Sequence, residues 1–230
     1  MVNFIRNLDW SVLTDILARV IPALICITFH ELAHGFTAYL LGDRTAKDQG
    51  RLTLNPVKHI DVFGLLMMII CKFGWAKPVP VNMYNFKKPK LHMAITALAG
   101  PLSNILLAVV VFFILGLITT PLGYISSPEL KTYIFEMIYT TAYLNIALAV
   151  FNMLPIPPLD GSKILFSLLP EKAYFVLMRY ERYGMLILFV FINIDTILHA
   201  NIFNATIGQL TLSLVEWFSN VGLAAYRLVN

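Results

Sequence analysis

Apolar residues fall in long blocks along this chain, set apart by short polar stretches, and these blocks carry the structural signal. The first covers residues 20–41 and ends at Gly42-Asp43, a helix stop. The second, 92–119, opens with small residues, Ala94, Ala97, Ala99 and Gly100, that let another helix approach closely. Pro101 predicts a kink in it, and Asn104 follows one turn later. Pro121, Gly123 and Pro128 mark a turn before a third block at 131–151, which the run 152–161 breaks with its three prolines. A fourth block covers 184–199. A bilayer crossing takes about 20 apolar residues, so these blocks read as membrane-spanning helices. The tail differs: Phe203, Ile207, Leu210, Leu214, Trp217 and Val221 recur at spacings of three and four, with Gln209, Ser213, Glu216 and Asn220 opposite. That pattern predicts an amphipathic helix. It lacks the lysine-rich face of a membrane-surface binder, so packing against the bundle is the first reading and a fifth span the second.

The connecting stretches are short on regular structure. Residues 1–19 are mixed, with Asp15 and Arg19 placed four apart as a helical ion pair. Residues 43–62 read as a polar loop with one short strand at 51–54. The apolar run 63–71 is too short to cross as a helix and reads as an interfacial or re-entrant element. In the following Gly74–Asn82 stretch, Pro78 and Pro80 place both missing N–H groups on one side of an extended segment. The other side stays able to pair, which describes an edge strand; a stiff proline-rich connector is the alternative. The fold class is therefore an all-α polytopic membrane protein. It has four to five transmembrane helices and a short re-entrant or β element between the first and second, all in a single domain over 1–230 with a catalytic core at about 20–182.

Composition agrees. The chain is 58% hydrophobic and 13% charged, with a mean hydropathy of +0.74, unlike a soluble domain. The net charge of +4 does not indicate nucleic acid, because segments 42–91 and 154–182 hold thirteen of the 17 Lys and Arg residues. By the positive-inside rule both segments are cytoplasmic, and the even number of spans between them makes that topology self-consistent. Two cysteines, Cys26 and Cys71, imply neither a disulfide framework nor a cysteine metal cluster, and Cys71 reads as an apolar filler.

The chemistry begins inside the first block, at His30-Glu31-Leu32-Ala33-His34. On a helix, histidines four apart leave one face a turn from each other, so both rings reach one metal ion, and Glu31 projects beside a water on that metal. With five His in 230 residues, this pattern arises by chance on the order of a few times per thousand such chains. Paired core histidines would need partners within hydrocarbon, where ionisable groups are costly. Because the block carries the motif, it reads as retained rather than cleaved as a signal peptide.

A catalytic zinc site needs a third protein ligand. By the topology Asp15, Glu136 and Asp195 lie toward the outer side, whereas Asp160 stands alone in an apolar turn at the depth of the histidines. The prolines before it forbid a regular helix and Gly161 permits close backbone approach, so its carboxylate can fold back toward the first helix. Capping of a following helix at 161–169 is the other role open to it. His59 follows a basic loop residue and reads equally as a solvated surface histidine; Asn104 either binds a substrate backbone or cross-links helices.

Taken together, the stretches His30–Gly35, Gly42-Asp43, Gly50–Pro56 with His59-Ile60-Asp61, Gly74–Asn82, Gly100–Asn104 and Asn152–Gly161 resemble the site-2 protease family of intramembrane zinc metallopeptidases, specifically its small group without PDZ or CBS domains. The resemblance implies that His30, His34 and Asp160 bind one Zn2+, that Glu31 is the catalytic base, and that Asn152 helps position substrate or the oxyanion. It implies an endopeptidase acting in or next to transmembrane segments of membrane proteins, in a multi-pass protein of the cell membrane with its site toward the cytoplasm. Such an enzyme's partners are transmembrane protein or peptide substrates and the lipid bilayer. The alternatives are a metal-ion or proton transporter, or a non-proteolytic holder of membrane clients. A transporter predicts polar residues along a path through the bundle, whereas here they cluster at one depth.

Overall fold

The computed structural model describes residues 10–64, 66, 75–197 and 204–229. Among the described residues the regular structure is helical and no strand forms. The helices are α1 (Trp10–Leu40), α2 (Thr45–Asp48), α3 (Pro89–Gly123), α4 (Pro128–Asn152), α5 (Asp160–Ser167), α6 (Glu171–Tyr180), α7 (Gly184–Ile197) and α8 (Gln209–Val229). Among the described residues, three stretches are long and apolar enough to cross a membrane: Leu17–Leu40, Pro89–Gly123 and Pro128–Asn152. These match the first three expected spans. The fourth block appears as α7, of 14 residues, and its end at 198–199 lies outside the described residues.

Helix ends depart from the sequence reading where prolines sit. Pro128 opens α4 rather than closing the preceding turn, because Ser127 caps it by accepting the Leu130 N–H at 3.3 Å. A proline in the first helical turn lacks only a donor that had no helical partner. Similarly α3 starts at Pro89 and continues through Pro101 and Pro121 to Gly123. In hydrocarbon, ending a helix exposes several backbone groups whereas an internal proline forfeits one bond, so the helix persists. At the other end α1 begins at Trp10 and absorbs part of the supposed lead-in, with Pro22 inside it. The Asp15 side chain, and with it the Asp15–Arg19 pair, lies outside the described residues. Gly42, at φ 109°, makes the left-handed turn that stops α1.

α3 is the central helix, packed against α1, α4 and α8. Its Ala108, Phe112 and Leu115 form a buried cluster with Ala142 and Ile146 of α4 and Val215 of α8. The tail helix does dock on the bundle, but partly by a different stripe from the one its periodicity suggests. Thr211, Val215 and Ala225 are buried, and Gly222 lies against the backbone of Phe112 and Gly116, while Leu210 and Trp217 face outward. Lipid accepts large apolar side chains, so the small residues turn inward where close approach rewards them.

The stretch between α1 and α3 is irregular. Residues 51–54 form no strand, and residues 75–82, the described part of the proline-rich stretch, make a single antiparallel bridge, between Ile60 and Ala76. Prolines at 78 and 80 remove the donors a longer ladder needs. Arg51 is buried and donates from Nη2 to the Lys77 carbonyl at 2.9 Å, so its role is to clamp the loop. His59 is also buried, 2% exposed, with Nε2 at 3.0 Å from the Thr53 carbonyl; it is a loop-fixing group and not a solvated one. Most of the 63–71 run, Cys71 included, lies outside the described residues.

Candidate metal centre

α1 presents His30 and His34 from one face, as an i, i+4 pair must. Each ring is fixed through Nδ1. His34 Nδ1 lies 2.7 Å from the Thr96 carbonyl and His30 Nδ1 lies 3.0 Å from Asn104 Oδ1, both on α3. A carbonyl only accepts, so His34 carries its hydrogen on Nδ1; donation to Asn104 does the same for His30, and in a neutral ring this leaves Nε2 with a lone pair. Asn104 is fully buried. It therefore cross-links helices, and in doing so it orients a candidate ligand.

The small residues of α3 make this contact possible. A Cβ on Gly100 would overlap the His34 ring and come 2.6 Å from His30 Cε1. The patch Ala94–Gly100 thus lets α3 approach α1 where the histidines stand.

Asp160 is the first residue of α5 and makes no side-chain cap there, which disposes of the capping alternative. Its Oδ2 instead points at the histidines, 3.2 Å from His30 Nε2 and 3.1 Å from His34 Nε2. The two Nε2 atoms are 3.0 Å apart. Gly161 allows this return, since a Cβ there would meet the carbonyls of Met153 and Leu154 at the end of α4. Oδ2 is buried with no hydrogen-bond partner. Three lone-pair atoms thus converge without a hydrogen between them, an arrangement that repels unless a cation sits among them. Tetrahedral zinc with bonds of about 2.0–2.1 Å sets its ligand atoms roughly 3.3 Å apart. The donor set and spacing fit zinc.

Around this trio lies a cavity of about 470 Å³, whose walls include Glu31, Asn152, Val79, Lys163 and Glu181. Glu31 Oε2 accepts the Val79 N–H at 2.7 Å. Asn152, the last residue of α4, donates from Nδ2 to the Leu148 carbonyl at 3.0 Å. Lys163 Nζ lies 4.0 Å from Asp160 Oδ1 and 3.4 Å from Glu181 Oε1. Burial opposes the ionisation of Asp160, and the Lys163 ammonium beside it favours the carboxylate. Burial likewise opposes the charge on Lys163, and the Glu181 and Asp160 carboxylates more than restore it.

Comparison with known proteins agrees with this geometry. The chain is 43% identical over 171 residues to "Putative zinc metalloprotease YwhC" of Bacillus subtilis (strain 168), covering 74% of this chain and 78% of that protein. Residues 116–194 match peptidase family M50, a stretch that includes Asp160. The chain belongs to peptidase family M50, the site-2 proteases. It is a zinc metalloprotease, and zinc is its cofactor. "Putative zinc metalloprotease Rip2" of Mycolicibacterium smegmatis is 27% identical over 208 residues, or 88% of this chain and 73% of that one. MJ0611 of Methanocaldococcus jannaschii, named likewise, is 34% identical over 138 residues, 60% of this M50 chain and 63% of its own. No solved structure matches the chain.

Four features of this M50 site escaped the sequence reading. Thr96 acts through its carbonyl and Val79 through its N–H, and a backbone group leaves no mark in residue type. Asp43 is buried and holds the Asn82 N–H and the Asn85 amide, both at 2.7 Å, so it ties the segment beside Glu31 to the end of α1. Lys163 was detectable: a lysine three residues after a buried aspartate on a helix shares its face.

Proposed function

We propose that this protease is an intramembrane zinc endopeptidase that hydrolyses peptide bonds in or next to transmembrane segments of membrane proteins. The observation that carries the reading is the convergence of Asp160 on His30 and His34 beside Glu31, the last three standing on a helix apolar enough to span the bilayer. In this reading His30, His34 and Asp160 hold the zinc. A bound zinc ion supplies Lewis acidity, polarising the scissile carbonyl and making a water more acidic. Glu31 takes the proton of the attacking water and returns it to the leaving amine. Asn152, on the wall of the same cavity, turns its amide from the Leu148 carbonyl to the substrate or the oxyanion. A helical substrate hides its carbonyls in its own hydrogen bonds and so unwinds locally before attack. The basic loops favour a site open to the cytoplasm, in one domain whose catalytic core is about residues 20–182.

Glu31→Gln tests this directly. The variant should keep its zinc and lose cleavage of a reporter transmembrane peptide. Zinc-dependent cleavage persisting in it would remove Glu31 from its role.

A further inference from the structure

We propose that the main-chain N–H of Val79 is a positioning donor for the Glu31 carboxylate, delivered by its flanking prolines and by Gly35, rather than a donor that pairs with substrate. The inference rests on the reading of Glu31 as the proton carrier. Val79 N–H meets Glu31 Oε2 at 2.7 Å, within the short range of bonds to an ionised acceptor. Holding one carboxylate oxygen this way stops rotation of the group and leaves the other free to exchange a proton.

The local sequence is arranged around that one donor. Pro78 and Pro80 have no N–H to compete for the carboxylate, and each locks its φ. Val79, preceding a proline, is itself confined to extended conformations. Glu31 and Gly35 share a face of α1, four residues apart. A Cβ on Gly35 would come 2.9 Å from Val79 Cγ1 and 2.6 Å from Leu52 Cδ2, so the absent side chain lets the segment sit down on α1. The segment is pinned at both ends: Lys77 N–H donates to the His59 carbonyl at 2.9 Å, and Asn82 N–H to Asp43 Oδ2 at 2.7 Å. A substrate strand laid along this edge would find the donors of residues 77, 79 and 82 already engaged.

The two uses of the Val79 N–H separate kinetically. The probe is a dye- and quencher-labelled Leu/Ala transmembrane peptide of about 22 residues with a central Asn-Gly pair, reconstituted with the full chain in proteoliposomes. The first variant replaces the Val79 nitrogen by oxygen, through its α-hydroxy analogue, and so changes one atom while keeping the fold; Val79→Pro and Gly35→Ala are the second and third. All three should lower kcat by about tenfold to a hundredfold with KM nearly constant and bound zinc unchanged. A raised KM with kcat retained in the ester variant would assign the N–H to substrate, and unchanged kinetics would leave it idle; either overturns the proposal. Glu31→Gln, run alongside, separates the two readings: if it is inactive while the ester variant is normal, only the positioning role fails, whereas an active Glu31→Gln removes the base itself.

Discussion

Gly100 of α3 lies so close to the His34 imidazole that a methyl group at its Cα would overlap the ring. The candidate metal centre is thereby built from a helix–helix contact as much as from its proposed ligands. Two rings on one helix are oriented by a carbonyl and an amide of the next, and only a residue without a side chain permits that approach.

Gly100→Ala should therefore displace the histidines before it unfolds the bundle. Overpacking of this kind costs about 1–3 kcal/mol. Bound zinc per chain, measured by metal analysis after exchange against a chelator, should fall by about tenfold or more, while helix content by circular dichroism stays near that of the wild type.

Asn104→Leu removes the acceptor on His30 Nδ1. The ring then loses both its orientation and the preference for hydrogen on Nδ1. Zinc affinity should drop by about 10–100-fold, read by competition with a zinc indicator. Asn104→Asp, which keeps an acceptor oxygen, should retain more of it.

Asp43 supplies a pH test away from the metal. Burial raises its pKa, but the Thr45 hydroxyl, the Asn82 N–H, the Asn85 amide and the Thr45 N–H outweigh burial and leave it below its ordinary value. A carboxyl whose folded pKa is depressed contributes stability in full above its unfolded value, about 3.9, and loses it as pH falls through the folded one. Thermal unfolding in detergent should show Asp43→Asn less stable than wild type at pH 6, with the gap narrowing below about pH 4.

Gly116→Val tests the docking of the tail helix. A Cβ at this position would strike the Gly222 carbonyl on α8. The substitution should separate α8 from α3, lower the melting temperature by several degrees (about 1–3 kcal/mol of overpacking), and expose the 209–229 helix to added protease.

The chain by itself determined its membrane class, its first three spans and the histidine pair, because each rests on local regularities. Apolar block length answers to bilayer thickness, and two histidines four apart share a helix face whatever surrounds them. Asp160 was legible as a candidate because an acid isolated among prolines and apolar residues needs a buried partner. What only the tertiary structure decided concerns relations across the sequence. Proline positions misled on helix ends, since the proline pattern does not show which donors already lack partners. The tail buries a stripe of small residues rather than all of its largest apolar ones, because lipid removes the penalty for facing outward. The atoms that orient the site, Thr96 O, Asn104 Oδ1 and Val79 N–H, lie 62, 74 and 48 residues from the groups they hold. Two of them belong to the backbone, which every residue carries, so their roles arise only where the fold brings them.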